Sequence, residues 1–192
     1  MKSLKSYITE RFTVAGTESN KILLFDIDDT LINSDVKVYV MKDGQLVRKL
    51  SSSEFNAYHL KSGEEFDFRE FNDEDILNSK SVFLKYWDTL KREYSNGVHI
   101  GIITARSNAG MFHRFFKNNG IDIKRELIFA VNDPSLRLKG DTIEAKKADA
   151  IKRLAHWGYT TFVFFDDNKD NLAAAKALEQ KYNNIHVHTV KA

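Results

Sequence analysis

Apolar and polar positions along this chain alternate in two rhythms. Short runs that are apolar almost throughout, "KILLFDI" (21–27), "VHIGIIT" (98–104), "ELIFAV" (126–131), "TTFVFFD" (160–166) and "NIHVHTV" (184–190), are rich in Ile, Val and Phe. They predict strands covered on both faces. Between them the apolar positions move to helical spacing. Phe83, Leu84, Trp87, Leu90 and Tyr94 form one stripe, closed by Asn96-Gly97, and further helices are predicted over 107–119, 143–157 and 170–182. This strand–helix alternation predicts an α/β fold with a doubly wound parallel sheet. Leu4, Tyr7, Ile8 and Phe12 predict a short amphipathic helix at the start of the chain.

Residues 33–80 break the rhythm. "VKVYVMKDGQLVRKL" is two alternating runs about Asp43-Gly44, a hairpin signal. A polar and aromatic stretch, "SSSEFNAYHLKSGEEFDFREFNDEDILN", follows it. No Pro/Gly-rich linker sets the segment apart, and the chain's one proline is Pro134. The segment therefore reads as a small inserted cap over the end of the first strand. The core is then 1–32 with 81–192.

Composition narrows the chemistry. The chain has 192 residues, 42% of them hydrophobic, enough to bury a core within one domain. A net charge of +2 is too balanced to announce a nucleic-acid surface. Cysteine is absent, which excludes disulfides, thiolate catalysis and zinc–thiolate sites. No run reaches the length of a membrane span and no secretion signal opens the chain. We therefore expect a cytoplasmic protein with no membrane partner, and no stable protein partner can be inferred.

In an open parallel sheet, ligands bind beyond the carboxyl ends of the strands, where strand order reverses. Asp26 and Asp28 end the first predicted strand, Thr104 ends the second, Asp166 and Asp167 end the fourth, and Lys146-Lys147 open the helix before it. Side chains two apart on an extended chain point the same way, so Asp26 and Asp28 can face one volume. Asp167 joins them if the first and fourth strands are neighbours. Such carboxylates repel one another without a cation. An all-oxygen set, with no sulfur and no clustered histidine, suits Mg²⁺ together with phosphate oxygens. Read singly, an Asp-rich turn is ordinarily a cap, Thr104 a strand end and the lysines a solvated helix face.

Four segments in order resemble the motifs of the haloacid dehalogenase (HAD) superfamily: "FDIDDTL", "HIGIITAR", "KKADAIKRL" and "FVFFDDNKDNLAAAKAL". The resemblance spans residues 21–180 and implies a Rossmann-like HAD core. It implies Asp26 as nucleophile, Asp28 as general acid and base, and Thr104 with Lys147 as holders of the phosphoryl oxygens. Thr30, on the turn, Arg106 and Lys146 are further candidates at the substrate. Lys147 is preferred to Lys146 because Ile151 then falls on the core position four residues on. For the metal, the resemblance implies Asp26, Asp28 through its backbone carbonyl, and Asp167. Asp166 and Asp170 support them, and Asn171 stands where the family has a second acid. The segment from "VYVMKDGQLVRKL" to "FDFREF" also resembles small HAD-like proteins of tailed bacteriophages.

The expected function is a Mg²⁺-dependent phosphomonoester hydrolase working through an aspartyl-phosphate. Its substrate would be a small-molecule or nucleic-acid phosphate monoester, such as a nucleotide or a polynucleotide end. The alternative is a non-catalytic interaction or nucleic-acid-binding module on the same fold. A phosphotransferase or mutase ranks below the hydrolase, and dehalogenation is disfavoured because it gives Asp28 and Asp167 no task. Arg106, Asn108 and Arg114 read first as surface or capping residues. His186 and His188 read as ordinary strand positions. Tyr39, Phe55, Tyr58, His59, Phe66 and Phe68 read either as cap packing or as a platform for a base.

Overall fold

The computed structural model describes residues 20–51, 54–55 and 58–192. The helix expected on Leu4, Tyr7, Ile8 and Phe12 lies outside the described residues. Strand β1 (Lys21–Phe25) occupies the centre of a five-stranded parallel sheet. It is followed by β2 (Ile32–Ser34), β3 (Val38–Lys42), β4 (Gln45–Leu50), β5 (Glu64–Asp67), α1 (Glu74–Lys80), β6 (Ser81–Phe83) and α2 (Lys85–Ser95). Then come β7 (His99–Thr104), α3 (Ala109–Asn118), β8 (Ile128–Ala130), α4 (Ile143–His156), β9 (Thr161–Asp166), α5 (Lys169–Lys176), α6 (Leu178–Lys181) and β10 (His186–Lys191).

The sheet order is β10-β9-β1-β7-β8, parallel throughout. The chain starts at the centre, winds out to β8, then returns past β1 to form β9 and β10. Ile22, Leu23, Leu24 and Phe25 are all buried, as a central strand covered on both faces requires. Gly101 in β7 admits the neighbouring strand, since a Cβ there would lie 2.9 Å from Leu24 Cδ2. Polar residues cap the helices that follow the strands. Asn108 accepts from Met111 N, Thr142 from Ala145 N and Asn168 from Asp170 N, each satisfying a donor the helix leaves open. No helix among the described residues is long and apolar enough to cross a membrane.

Several element bounds differ from the sequence expectation. Residues 125–127 form a 3-10 turn, leaving a short β8 that pairs with β7 alone. The helix expected over 170–182 divides at Ala177 into α5 and α6. Phe83 belongs to β6 rather than the next helix, although its ring stacks on Trp87 at 4.1 Å.

The insertion stands on a two-stranded stem, β2 against β6. The expected 33–80 thus runs from the middle of β2 to the end of α1. Within it β4-β3-β5 form an antiparallel sheet. The β3–β4 hairpin turns on Asp43 and Gly44, with φ of 50° and 75°. Two positive φ angles in a two-residue loop suit the strand twist, and Asp-Gly tolerates both. Val38, Val40 and Leu50 form a small core of their own, with Phe55, Tyr58, Phe66 and Phe71 packed on it.

Candidate active site

The reversal point of the sheet lies between β1 and β9, and the titratable residues converge there. Asp26 N donates to Phe165 O at 2.9 Å, carrying the β1–β9 pairing one residue past the strand and setting Asp26 beside Asp166. The chain then folds back sharply. Ile27 O accepts from Leu31 N and Ile32 N, and Asp29 takes a left-handed φ of 57°, a conformation Asp visits more readily than most residues.

Lys147 reaches this corner from α4. Its side chain is 1% exposed, with Nζ 3.0 Å from Asp26 Oδ1 and 2.8 Å from Asp166 Oδ2. Ala150, Ile151 and Leu154 are buried on the same helix, so Lys147 belongs to the inward face. Lys146 is turned off that face, where Nζ donates to Asn132 Oδ1 at 3.1 Å.

Asp166 is saturated with donors. Besides Lys147 it accepts from Asn168 N at 2.8 Å and from Asn171 Nδ2 at 2.9 and 3.1 Å. It therefore acts as the anchor that holds Lys147 and Asn171. Asp26 Oδ1 is buried and, despite the nearby ammonium, receives no well-directed hydrogen bond from the described residues. Asp26, Asp166 and Asp167 each offer an oxygen within 4.8 Å of the others. An all-oxygen donor set with an under-satisfied buried carboxylate fits a hard divalent cation. With Asp166 committed, Asp26 and Asp167 are the members left to receive one.

The electrostatics agree. Burial, reinforced by Asp166 and Asp28, pushes the Asp26 carboxyl up to about 8 against the pull of Lys147. Burial and then Asp166 and Asp29 raise Asp167 as well. Burial works to lower Lys147, but Asp26 and Asp166 outweigh it and hold the ammonium above its ordinary value.

Asp28 was expected to meet the metal through its backbone carbonyl, and its side chain has a separate partner. Its carboxylate stands outside this acidic group and is gripped by Arg106, with Nε to Oδ2 at 2.9 Å and Nη2 to Oδ1 at 2.5 Å. Arg106 is buried, not a surface residue. It also donates to Phe71 O at 2.9 Å and Ser34 Oγ at 3.1 Å. Its guanidinium lies 4.5 Å from the centre of the Phe71 ring. One side chain thus ties the end of β7 to Asp28, to the stem and to the insertion.

A cavity of about 740 Å³ opens over these groups, with Asp26, Asp28, Arg106, Lys147, Asp167 and Asn171 on its wall. Thr104 and Thr30 stand behind that wall rather than on it. Both are fully buried, and Thr104 Oγ1 accepts the N–H of Arg106 at 3.3 Å. The cavity edge beyond β7 is formed by Ala105, Arg106 and Ser107. Asn132, Glu144 and Asn168 also face the cavity and were not singled out in the sequence.

The remaining candidates lie elsewhere. Asp170 is exposed, and its amide donates to the Asn168 cap. Asn108 caps α3, and Arg114 pairs with Glu74 of α1 at 2.6 Å. His186 and His188 are exposed on β10, and Asp26, Asp166 and Asp167 are the one group of potential metal ligands among the described residues. No family model, no curated protein and no solved structure matches the chain.

Proposed function

We propose that this chain is a HAD-type phosphomonoester hydrolase, with the insertion as a small cap over the site. One observation carries the reading. A buried lysine sits between Asp26 and the fully buried Asp166, and Asp26, Lys147, a third aspartate and an arginine-held fourth border one cavity at the reversal point of the sheet. A scaffold gains nothing from burying a carboxylate, with others close by, until it is driven up to about 8, whereas a phosphoryl-transfer site makes use of such a group.

Asp26 attacks phosphorus. An Oδ–P bond forms as the bond from phosphorus to the leaving oxygen breaks, and that oxygen takes a proton from Asp28, which enters this step as the neutral acid and leaves it as the carboxylate that Arg106 grips. Water then attacks the aspartyl-phosphate, its proton passes to Asp28, and inorganic phosphate leaves with Asp26 restored. Lys147 supplies fixed positive charge beside the nucleophile in a desolvated setting, where such charge counts most. Arg106 holds Asp28 in place between the two half-reactions. Mg²⁺ is the cation of choice for Asp26 and Asp167, and when bound it offsets the negative charge brought together by carboxylates and phosphate.

The test is hydrolysis of p-nitrophenyl phosphate by wild type and Asp26→Asn, with Mg²⁺ and with chelator. We expect Mg²⁺-dependent turnover that falls by about a thousandfold or more in the variant. Turnover that survives the substitution removes Asp26 as nucleophile. Inactivity of the wild type across a broad panel of phosphate esters replaces the hydrolase with a binding module.

A further inference from the structure

The walls of the cavity differ in chemistry according to their origin. The core supplies nearly all the charge, while the insertion supplies Val38, Phe55, Phe68 and Phe71. Phe55 and Phe71 are explained without a ligand, since both pack on the insertion's small core and Phe71 also covers Arg106. Phe68 is different. It is 39% exposed, although it meets Phe55 and Phe71 edge-to-face at 5.5 and 6.2 Å and the tilted Phe66 ring at 5.9 Å. An aromatic ring held by its neighbours yet left open on a cavity wall is a surface for a flat apolar partner.

The charge on the wall sets a second condition. Asp26, Asp28, Asp29, Glu144 and Asp167 face the cavity, and so do Arg106 and Lys147. Both cations are already in ion pairs, Arg106 with Asp28 and Lys147 with Asp26 and Asp166. A divalent cation brings two further positive charges, which one phosphate dianion neutralises. Each cation on this wall thus already faces a carboxylate, Lys146 beyond it is engaged with the Asn132 amide oxygen, and Asp29 and Glu144 add negative charge to the cavity that a second phosphate would enter. Like charges set together in this way reject a ligand strongly.

From these two conditions, and resting on the hydrolase reading above, we infer that the substrate is a monophosphate carried on an uncharged, flat aromatic group of nucleoside size. Phe68 is the residue that selects it. Nucleoside diphosphates and phosphate ends followed by a charged phosphodiester backbone are poor ligands. The cavity, at about 740 Å³, falls well inside the usual range for small-molecule sites, roughly 300–1,000 Å³.

The test measures hydrolysis and, separately, calorimetric binding in the presence of Mg²⁺, using adenosine monophosphate, adenosine diphosphate and ribose 5-phosphate. Wild type, Phe68→Ala and Phe68→Leu are compared, with thermal melts to show that each is folded. Adenosine monophosphate should exceed ribose 5-phosphate by about five- to a hundredfold in kcat/KM or in affinity, the worth of one stacked base. That advantage should vanish in Phe68→Ala, the ratio of adenosine monophosphate to ribose 5-phosphate falling to about one whatever the variant does to both substrates in common. Adenosine diphosphate should trail the monophosphate by at least about tenfold. Ribose 5-phosphate equal to adenosine monophosphate in wild type, or a diphosphate equal to the monophosphate, overturns the inference. Base-selective, Phe68-dependent binding without hydrolysis upholds it while removing the hydrolase reading.

Discussion

Burial of Asp26, with Asp166 and Asp28 nearby, makes the metal-free protein sensitive to pH in an unusual direction. The carboxyl rises from an ordinary 3.8 to about 8 on folding. Between those values the native state holds a proton that the unfolded chain has released, so stability is greatest near the lower limit and falls as pH rises toward the upper one. A shift of this size corresponds to an upper bound of roughly 6 kcal/mol, and relaxation of the cluster brings the effect to roughly 2–4 kcal/mol. Against a total of about 5–15 kcal/mol for a domain, that loss is readily measured. The assay is urea unfolding in chelator at about pH 5 and about pH 8, on wild type and Asp26→Asn. Asp167 and Asp29, also raised by burial and acidic neighbours, add to the same slope. His99 works against it, because burial and then Lys124 depress its pKa. These contributions are common to both proteins, so the difference in slope isolates Asp26. The variant should lose most of the decline, and saturating Mg²⁺ should restore wild-type stability at the higher pH by about 3 kcal/mol at a hundred times its Kd. Equal slopes in the two proteins, or a metal-free wild type that gains stability toward pH 8, refute the reasoning.

Three further substitutions probe the same network. Lys147→Met leaves Asp26 and Asp166 without their shared cation. It should cost on the order of 3 kcal/mol in metal-free unfolding and at least about a hundredfold in kcat, with Mg²⁺ restoring stability but not turnover. Arg106→Met should destabilise by about 3 kcal/mol, since the arginine is buried and holds four acceptor atoms. It should slow alkyl phosphates more than aryl phosphates, whose leaving oxygen needs less help from Asp28. Arg106→Lys should recover little, because an ammonium cannot reproduce the bidentate fork; full recovery in either assay counts against the clamp. Thr30→Val should be neutral or gain about 1 kcal/mol in thermal or urea unfolding, since the Thr30 hydroxyl is fully buried without a hydrogen-bond partner among the described residues. Activity should be unchanged, and a tenfold loss would show that the hydroxyl serves the site.

The parts of this site that were legible in the sequence are those governed by short-range rules. Continuous apolar runs announced β1, β7 and β9. Their position on the sheet placed Asp26, Asp166 and Asp167 at strand ends, where the all-parallel order brings them together. Lys147 was legible by helical period, because it shares a face with Ile151 and Leu154 while Lys146 is one step off it. The hairpin followed from Asp43-Gly44 alone. The partners of Arg106 were hidden because they lie 35, 72 and 78 residues away, and a distant ion pair leaves no local trace in composition or spacing. Phe68 was ambiguous for a related reason. Alternation along β5 says which rings leave the strand on one side, but whether a ring ends in a core or on a cavity depends on what the insertion faces.

The two basic residues divide the site into halves with different supports. Lys147 and Asp166 bind Asp26 into the core, through α4, β9 and the Asn171 amide on α5. Arg106 binds Asp28 to Ser34 on the stem and to the Phe71 carbonyl in the insertion. Under the proposed chemistry the nucleophile is therefore insulated from any displacement of the insertion, whereas the proton donor is mechanically joined to it. A substrate that packs against Phe68 presses on the same short segment, Phe68 to Phe71, whose 3-10 turn presents the Phe71 carbonyl to Arg106. Recognition of the leaving group and delivery of a proton to it then share one structural element. Substitutions in this segment should alter kcat for poor leaving groups while leaving formation of the aspartyl-phosphate from activated aryl esters nearly intact.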